Sequence, residues 1–287
     1  MTVEKLEPQF LSSTGSVSAA AKSAPRITRL DGHAARRARP EAKFPKVSVI
    51  IPTLNEALNI PLVLARLPEL VDEVVVVDGR STDGTIDAVR RVRPDATVIT
   101  QEGKGKGDAL RCGFEAATGD ILVMLDADGS ADPGEIPSFV DALLAGADFA
   151  KGTRFRGGGS DDLTALRRAG NHVLVGAVNV LFRTAYSDLC YGYNAFWSHC
   201  LPSMCVDCSG FEIETLINIR VTRAQLRVVE VASFEHSRVH GQSNLRTFRD
   251  GSRVLRTIIR ERFSRAPQAR AHQHQHPAEL ALAAEAA

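Results

Sequence analysis

The sequence predicts an α/β fold in which a mostly parallel sheet is flanked by helices on both faces. Three observations carry this. Short, nearly unbroken apolar runs recur, such as Val47 to Ile51, Val74 to Val77 and Ile121 to Leu125. Strands buried on both faces read this way. The runs alternate with segments of helical length, which is the order of βαβ units. Each run then closes on a proline or a carboxylate: Pro52, Asp78 and Asp126. Charged groups are costly in a dry core, so these ends mark the carboxyl edge of the sheet, where open α/β sheets bind ligands.

The elements follow in order. Residues 1–45 are rich in Ser, Ala, Pro and Arg without a lasting period, and are expected to form a disordered basic arm. One ordered domain spans 46–264. Its first strand covers Val47 to Ile51 and a helix is expected over 57–67. Glu73 to Asp78 is the second strand, and Gly79 to Thr85 turns the chain into a helix ending at Arg93. Ala96 to Thr100 is the third strand; a glycine-rich segment, Gly103-Lys104-Gly105-Lys106-Gly107, leads into a helix ending at Ala117. Ile121 to Leu125 is the central strand. A helix after Pro133 and a strand from Asp148 to Lys151 complete the first half, 46–154. Over 155–264 the pattern loosens. It reads as a loop at 157–162, a helix over 163–182, short strands over 186–189 and 194–197, a helix over 211–223, a strand over 226–231 and a last helix over 245–263. Residues 265–287 read as a second disordered tail.

Composition sets bounds. The chain has 287 residues, is 44% hydrophobic and carries a formal net charge of +1. It is therefore large and apolar enough for a substantial core, and no nucleic-acid partner is implied. No apolar run approaches the roughly 18 residues of a membrane span, and the N-terminus has no apolar leader. Five cysteines, an odd number in a long chain, favour a reducing, cytoplasmic setting. Charge is uneven: seven Arg lie between Arg246 and Arg265. On the last helix Phe248, Leu255, Ile258, Ile259 and Phe263 fall on one side, with Arg249, Arg253, Arg256 and Arg260 largely elsewhere. Such a helix is either docked with a solvated basic face or laid on an anionic membrane surface.

The chemistry concentrates at strand ends. In Asp126-Ala127-Asp128 the two carboxylates lie on one face of an extended chain, roughly 6–7 Å apart along the strand. Their repulsion is relieved by a hard divalent cation, Mg²⁺ or Mn²⁺, bridged to a diphosphate; the alternative is an acidic turn. Asp78 can accept hydrogen bonds from a base or ribose. Lys104 and Lys106 stand in a glycine-rich loop at a helix start, where amides, dipole and ammonium groups favour phosphate. Cys200, Cys205 and Cys208, with His199, contain one Cys-x-x-Cys pair but no second pair at ligand spacing, so buried or inert thiols are expected rather than zinc.

Together, Val47 to Glu56, Val74 to Thr85, Gly105 to Gly107, Asp126 to Asp128 and Gly152-Thr153-Arg154 resemble the inverting glycosyltransferases of family 2, on the GT-A fold. Ser187-Asp188-Leu189, Gly210 to Glu214 and Arg238 to Leu245 resemble the polyprenyl (dolichyl) phosphate sugar synthases within it. The resemblance implies roles. Pro52, Thr53, Asn55, Glu56 and Asp78 would hold the nucleoside of a UDP- or GDP-hexose, with Lys104, Lys106, Asp126 and Ala127 towards its diphosphate. Asp126 and Asp128 would hold the metal, with Ser130 a poor third ligand. Arg154, Arg168 and Arg238 would gather phosphates, with Asp188 the best base in the second half. Ser243 and Asn244 would face a polyprenyl phosphate, although the family commonly has Lys where this chain has Asn244. The expected enzyme is a metal-dependent hexosyltransferase working peripherally at the inner face of a membrane. Its rivals are the same catalyst with a soluble hydroxyl acceptor, a sugar-phosphate nucleotidyltransferase, and a non-catalytic nucleotide-sugar-binding subunit.

Overall fold

The structure, a computed structural model, describes residues 44–242 and 245–264. The expected basic arm, the C-terminal tail and the pair Ser243–Asn244 lie outside the described residues.

The first half of the domain builds β1 (Val47–Thr53), α1 (Ile60–Leu64), β2 (Glu73–Asp78), α2 (Thr85–Val92), β3 (Thr97–Thr100), α3 (Lys106–Ala116), β4 (Ile121–Met124), α4 (Ile136–Leu144) and β5 (Phe149–Thr153). The second half adds β6 (Gly159–Ser160), α5 (Ala165–Phe182), β7 (Asn194–Trp197), α6 (Leu201–Met204), α7 (Ile213–Arg223), β8 (Val228–Ala232), β9 (Phe234–Glu235) and α8 (Thr247–Phe263). Seven strands form one sheet in the order β3-β2-β1-β4-β7-β5-β8, and β6 pairs with β9 in a small second sheet. Every pairing in the large sheet is parallel except those of β7, which runs antiparallel between β4 and β5. The expected mostly parallel α/β sheet is therefore present.

The sequence explains the layout. All four residues of β4 and nearly all of β1 and β2 are buried, as unbroken apolar runs require. The sheet grows outward from β1 through β2 to β3, then resumes on the other side of β1 with β4. This reversal opens a crevice between the carboxyl ends of β1 and β4. In the second half, α5, α7 and α8 close a smaller core around Val178, Leu189, Ile219 and Ile258. Ile213 to Val221 of α7 are all buried, so this helix is a strut between the sheet and its neighbours.

Two expectations are corrected. The first helix spans Ile60–Leu64 rather than 57–67; ahead of it Glu56 to Asn59 forms a single turn, the Asn59 and Ile60 amides donating to the Glu56 carbonyl at 3.0 and 2.8 Å. No strand forms over 186–189. There, side chains take the place of a ladder: Asn179 Oδ1 accepts from the Tyr186 amide at 3.0 Å, and the Tyr186 hydroxyl donates to the Asn218 carbonyl at 2.9 Å.

Candidate active site

The carboxyl ends of β1 and β4 open into a cavity of about 370 Å³ that continues between the starts of α5 and α8. Its inner wall includes Pro52, Thr53, Glu56, Asp126, Ala127 and Asp128, and Arg154, Glu214 and Arg238 face them from the second half.

Asp126 and Asp128 follow β4 directly, and each meets a cation from a distant segment. Lys106, the first residue of α3, places Nζ 2.6 Å from Asp126 Oδ1 and 2.7 Å from Glu214 Oε1. Arg238 spans two carboxylates as well, with Nη1 2.9 Å from Glu56 Oε1 and Nη2 3.1 Å from Asp128 Oδ2. Ser130 donates from its amide (3.0 Å) and hydroxyl (2.7 Å) to Asp128 Oδ1. It orients that carboxylate and does not act as a third acidic ligand. Burial lowers the Lys106 pKa, but Asp126 and Glu214 outweigh it and hold the ammonium above its ordinary value. Burial pushes Glu214 up, against Lys106. The proton of this pair therefore stays on lysine.

A third cation sits deeper. Arg154, at the end of β5, grips Asp188 through Nε (2.7 Å) and Nη2 (3.0 Å), and Glu235 through Nη1 (3.0 Å), while its guanidinium lies 5.0 Å above the Tyr191 ring. Desolvation works against its charge, yet the hydrogen bonds and charges of Asp188 and Glu235 keep it firmly protonated. Asp188 is fully buried and stands behind Arg154, outside the cavity wall. It positions the arginine and is not placed to receive a proton from a substrate.

The remaining expected residues divide. Asp78 is buried behind Thr53, accepting from the Thr53 hydroxyl (3.3 Å) and the Ser81 amide (2.9 Å). Asn55 sits in the left-handed region at φ 57 and braces the Thr82 amide at 2.9 Å, so it shapes the loop and is outside the cavity wall. Lys104 is exposed and also outside it. The glycine-rich loop uses two of its amides internally, Gly103 on Asp108 (3.0 Å) and Gly107 on Ser209 (3.0 Å). It thus presents an ammonium rather than a full amide cradle. Gly105 has φ 88, and a Cβ there would lie 2.2 Å from the Ser209 carbonyl. Only glycine lets this loop pack against the second half. Arg168 is exposed, with its guanidinium 5.9 Å over the Phe155 ring, and Arg167 lines the cavity in its place.

Sequence reasoning missed Gln101, Glu214, Glu235 and Tyr191 as cavity residues. Glu214 and Gln101 had a signal: one closes the Gly210 to Glu214 motif, the other directly follows β3 at the same edge. Glu235 and Tyr191 had none. Of the cysteines, Cys200 is buried and donates to the Asp148 carbonyl at 3.4 Å, Cys190 and Cys205 are exposed, and all five are free.

The fold has known counterparts. The profile of glycosyl transferase family 2 matches residues 48–205. Glycosyltransferase AglJ of Haloferax volcanii is 30% identical over 226 residues, 77% of this chain and 73% of that protein. The dolichol-phosphate mannosyltransferase of Pyrococcus furiosus is 30% identical over 211 residues, 70% of this chain and 59% of that one, so the chain spans under two thirds of that relative. Among solved structures, glucosyl-3-phosphoglycerate synthase from Mycobacterium tuberculosis in complex with Mn²⁺, UDP-glucose and phosphoglyceric acid matches with a TM-score of 0.60. Its identity is 25%, over 76% of this chain and 80% of that one. With a nucleotide-type crevice at a β1/β4 reversal, a matching profile and a relative aligned over most of both chains, this chain is a GT-A-fold member of glycosyl transferase family 2.

Proposed function

We propose that the enzyme is a metal-dependent, inverting hexosyltransferase that moves a hexose from a UDP- or GDP-sugar to a polyprenyl phosphate. The observation that carries the acceptor is the state of the cavity's carboxylates. Glu56 and Asp128 share Arg238; Asp126 and Glu214 share Lys106; Glu235 holds Arg154; Asp162 holds Arg167; Asp250 faces Arg253. A hydroxyl acceptor needs a base to take its proton, and each carboxylate on this wall is already tied to a cation. A phosphate monoester needs no base, since its second pKa near 6 leaves it an anion at neutral pH. The far end of the cavity, lined by Leu163, Leu166, Leu174 and Val254, suits a prenyl chain.

The donor set fits a divalent ion. Asp126 and Asp128 offer hard oxygen ligands beyond a rigid strand, and Ser130 fixes one of them. Among the described residues no group of three or more His, Cys, Asp or Glu is set to hold a metal alone, so Mg²⁺ or Mn²⁺ would be held jointly with the donor's diphosphate. When bound, the ion would stabilise the departing nucleoside diphosphate as a Lewis acid. The related synthase bound to Mn²⁺ and UDP-glucose supports this. Pro52, Thr53 and Gln101 would flank the nucleoside, and Lys106 and Arg238 would turn part of their charge to the phosphates. Arg154, fixed by Asp188 and Glu235, would hold the acceptor anion against the sugar.

One observation favours a second reading, a soluble acceptor: the matched synthase holds phosphoglyceric acid. The test is transfer from a radiolabelled nucleotide sugar. Label in solvent-extractable lipid is the expected result; label found only on water-soluble acceptors overturns the polyprenyl assignment.

A further inference from the structure

We infer that the outer faces of α5 and α8 form a docking surface for an anionic lipid bilayer, and that the apolar end of the cavity opens beside it. The acceptor consequence rests on the polyprenyl reading; the surface itself does not.

Both helices carry residues that a water-facing helix has no reason to carry. On α8, Phe248, Leu255, Ile259 and Phe263 are spaced at seven, four and four residues and so share one face. Their exposures are 82%, 47%, 50% and 84%. The same helix buries Val254, Thr257, Ile258 and Glu261 against the domain, so its inner face is already satisfied and the outer apolar face is additional. On α5, Leu166, Val173 and Val180 repeat every seven residues and are 57%, 72% and 80% exposed. Aligned large apolar groups of this kind mark an interaction surface.

Charge identifies the occupant. Arg249, Arg256, Arg260 and Arg262 are exposed on α8 and border its apolar stripe. The exposed positions of the helix contain no carboxylate; its two acidic residues, Asp250 and Glu261, face inward. An apolar face bordered by arginine is the signature of a helix lying in the interface of an anionic membrane. A protein partner would more often present carboxylates to these arginines, without the need for two phenylalanines to stand in water.

Position links the surface to the cavity. Leu163, Leu166, Gly170 and Leu174 of the α5 segment line one side of the cavity, and Thr247, Gly251 and Val254 of α8 line the other. Leu166 is at once cavity wall and exposed surface. A chain anchored in the bilayer could thus enter between the helices while its phosphate reaches Arg154 and Arg238. Among the described residues no helix is long and apolar enough to cross a membrane, and the surface formed by α5 and α8 is an interfacial one.

The test is sedimentation of the full chain with phosphatidylglycerol–phosphatidylcholine vesicles and with phosphatidylcholine vesicles alone. Strong binding to the first, weakened by salt, is expected. Phe248→Ser with Phe263→Ser should lower vesicle partitioning at least tenfold with an unchanged melting temperature, since neither side chain is packed. Arg249→Gln, Arg256→Gln and Arg262→Gln together should abolish the preference for the anionic lipid. Absence of wild-type binding would overturn the proposal. So would a double-serine variant that binds like wild type, vesicle binding that disappears only when residues 1–43 are removed, or serine substitutions that act by abolishing self-association. Turnover separates this from the reaction assignment. The double-serine variant should keep its rate on a short, water-soluble prenyl phosphate and lose about tenfold on a long-chain acceptor embedded in vesicles. Vesicle binding without transfer to either acceptor would refute the polyprenyl assignment and leave the surface standing.

Discussion

The two halves of the cavity are held in place by different physics. On the β1–β4 side, Thr53 is set by strand register with β2, and Asp126 and Asp128 directly follow β4, whose buried parallel ladder with β1 ends at Met124. On the other side the positions of Arg154, Glu214 and Arg238 depend on ion pairs between residues far apart in the chain. One wall is anchored first by the backbone, the other by long side chains, and Arg238 joins the two through Glu56 and Asp128. The first should lose function without losing stability when a side chain is changed, and the second should lose both.

Asp128→Asn is the sharpest test of the first wall. It keeps shape and removes a charge that, on the proposed function, would hold the metal and be worth several kcal/mol to the transition state. Release of nucleoside diphosphate should fall by about 10³-fold or more, with little change in the melting temperature. A large loss of stability would show that the strand end needs its charges to fold.

Arg154→Met probes the second wall. It strands the carboxylates of Asp188, fully buried, and Glu235. Breaking a buried pair by removing one partner costs about 3–5 kcal/mol. Urea denaturation should show that loss together with the loss of turnover; a stable but inactive variant would place Arg154 with the first wall.

The same contrast should appear against pH. Burial pushes the Asp188 carboxyl up, but hydrogen bonds from Arg154 and the charges of Lys151 and Arg154 hold it below its ordinary value. Its contribution to stability is therefore complete above the unfolded value of about 3.9 and fades as pH falls through the lower folded value. The stability gap between wild type and Asp188→Asn, followed by circular dichroism, should be constant from about pH 7 to 5 and close below about pH 4. A gap that widens on acidification would contradict the ion-pair account.

The smallest effect is expected at Asp83. It accepts from the Ala57 amide (3.0 Å) and the Thr85 amide (3.1 Å) and so ties the loop after β1 to α2. Asp83→Ala should cost about 1 kcal/mol, as for a lost helix cap, and leave turnover within a few-fold, because register and not this tie positions Thr53.

Legibility in the sequence follows the same division. β1, β2 and β4 could be read from their apolar runs, and Asp126 and Asp128 from their place at the end of one, because burial on both faces leaves a local pattern. Lys106 could be read only as one of two lysines. Which one turns inward is decided by α3 starting at Lys106 and leaving Lys104 in solvent. The pairing of Lys106 with Glu214, and of Arg154 with Glu235, joins segments that share no periodicity and left no trace in the sequence alone. Asp188 was visible as a carboxylate in a motif, but its burial behind Arg154 depends on the fold of 183–193, where side-chain hydrogen bonds replaced the expected strand.

The reversed strand β7 has a consequence for how the chain reaches this state. It pairs with β4 in the register Ile121↔Trp197 and with β5 in the register Phe149↔Phe196. In chain order β4 is made well before β7. Until Trp197 is available, one side of the strand leading to Asp126 is an open ladder flanked by apolar side chains. Such edges recruit other chains, and closing a sheet through distant partners is slow. The half that ends at Arg154 lacks β7, the partner of both β4 and β5, and is therefore not expected to fold alone. A fragment ending there should aggregate, since the sheet edge that leads to Asp126 and Asp128 is closed only by a strand that contributes neither residue.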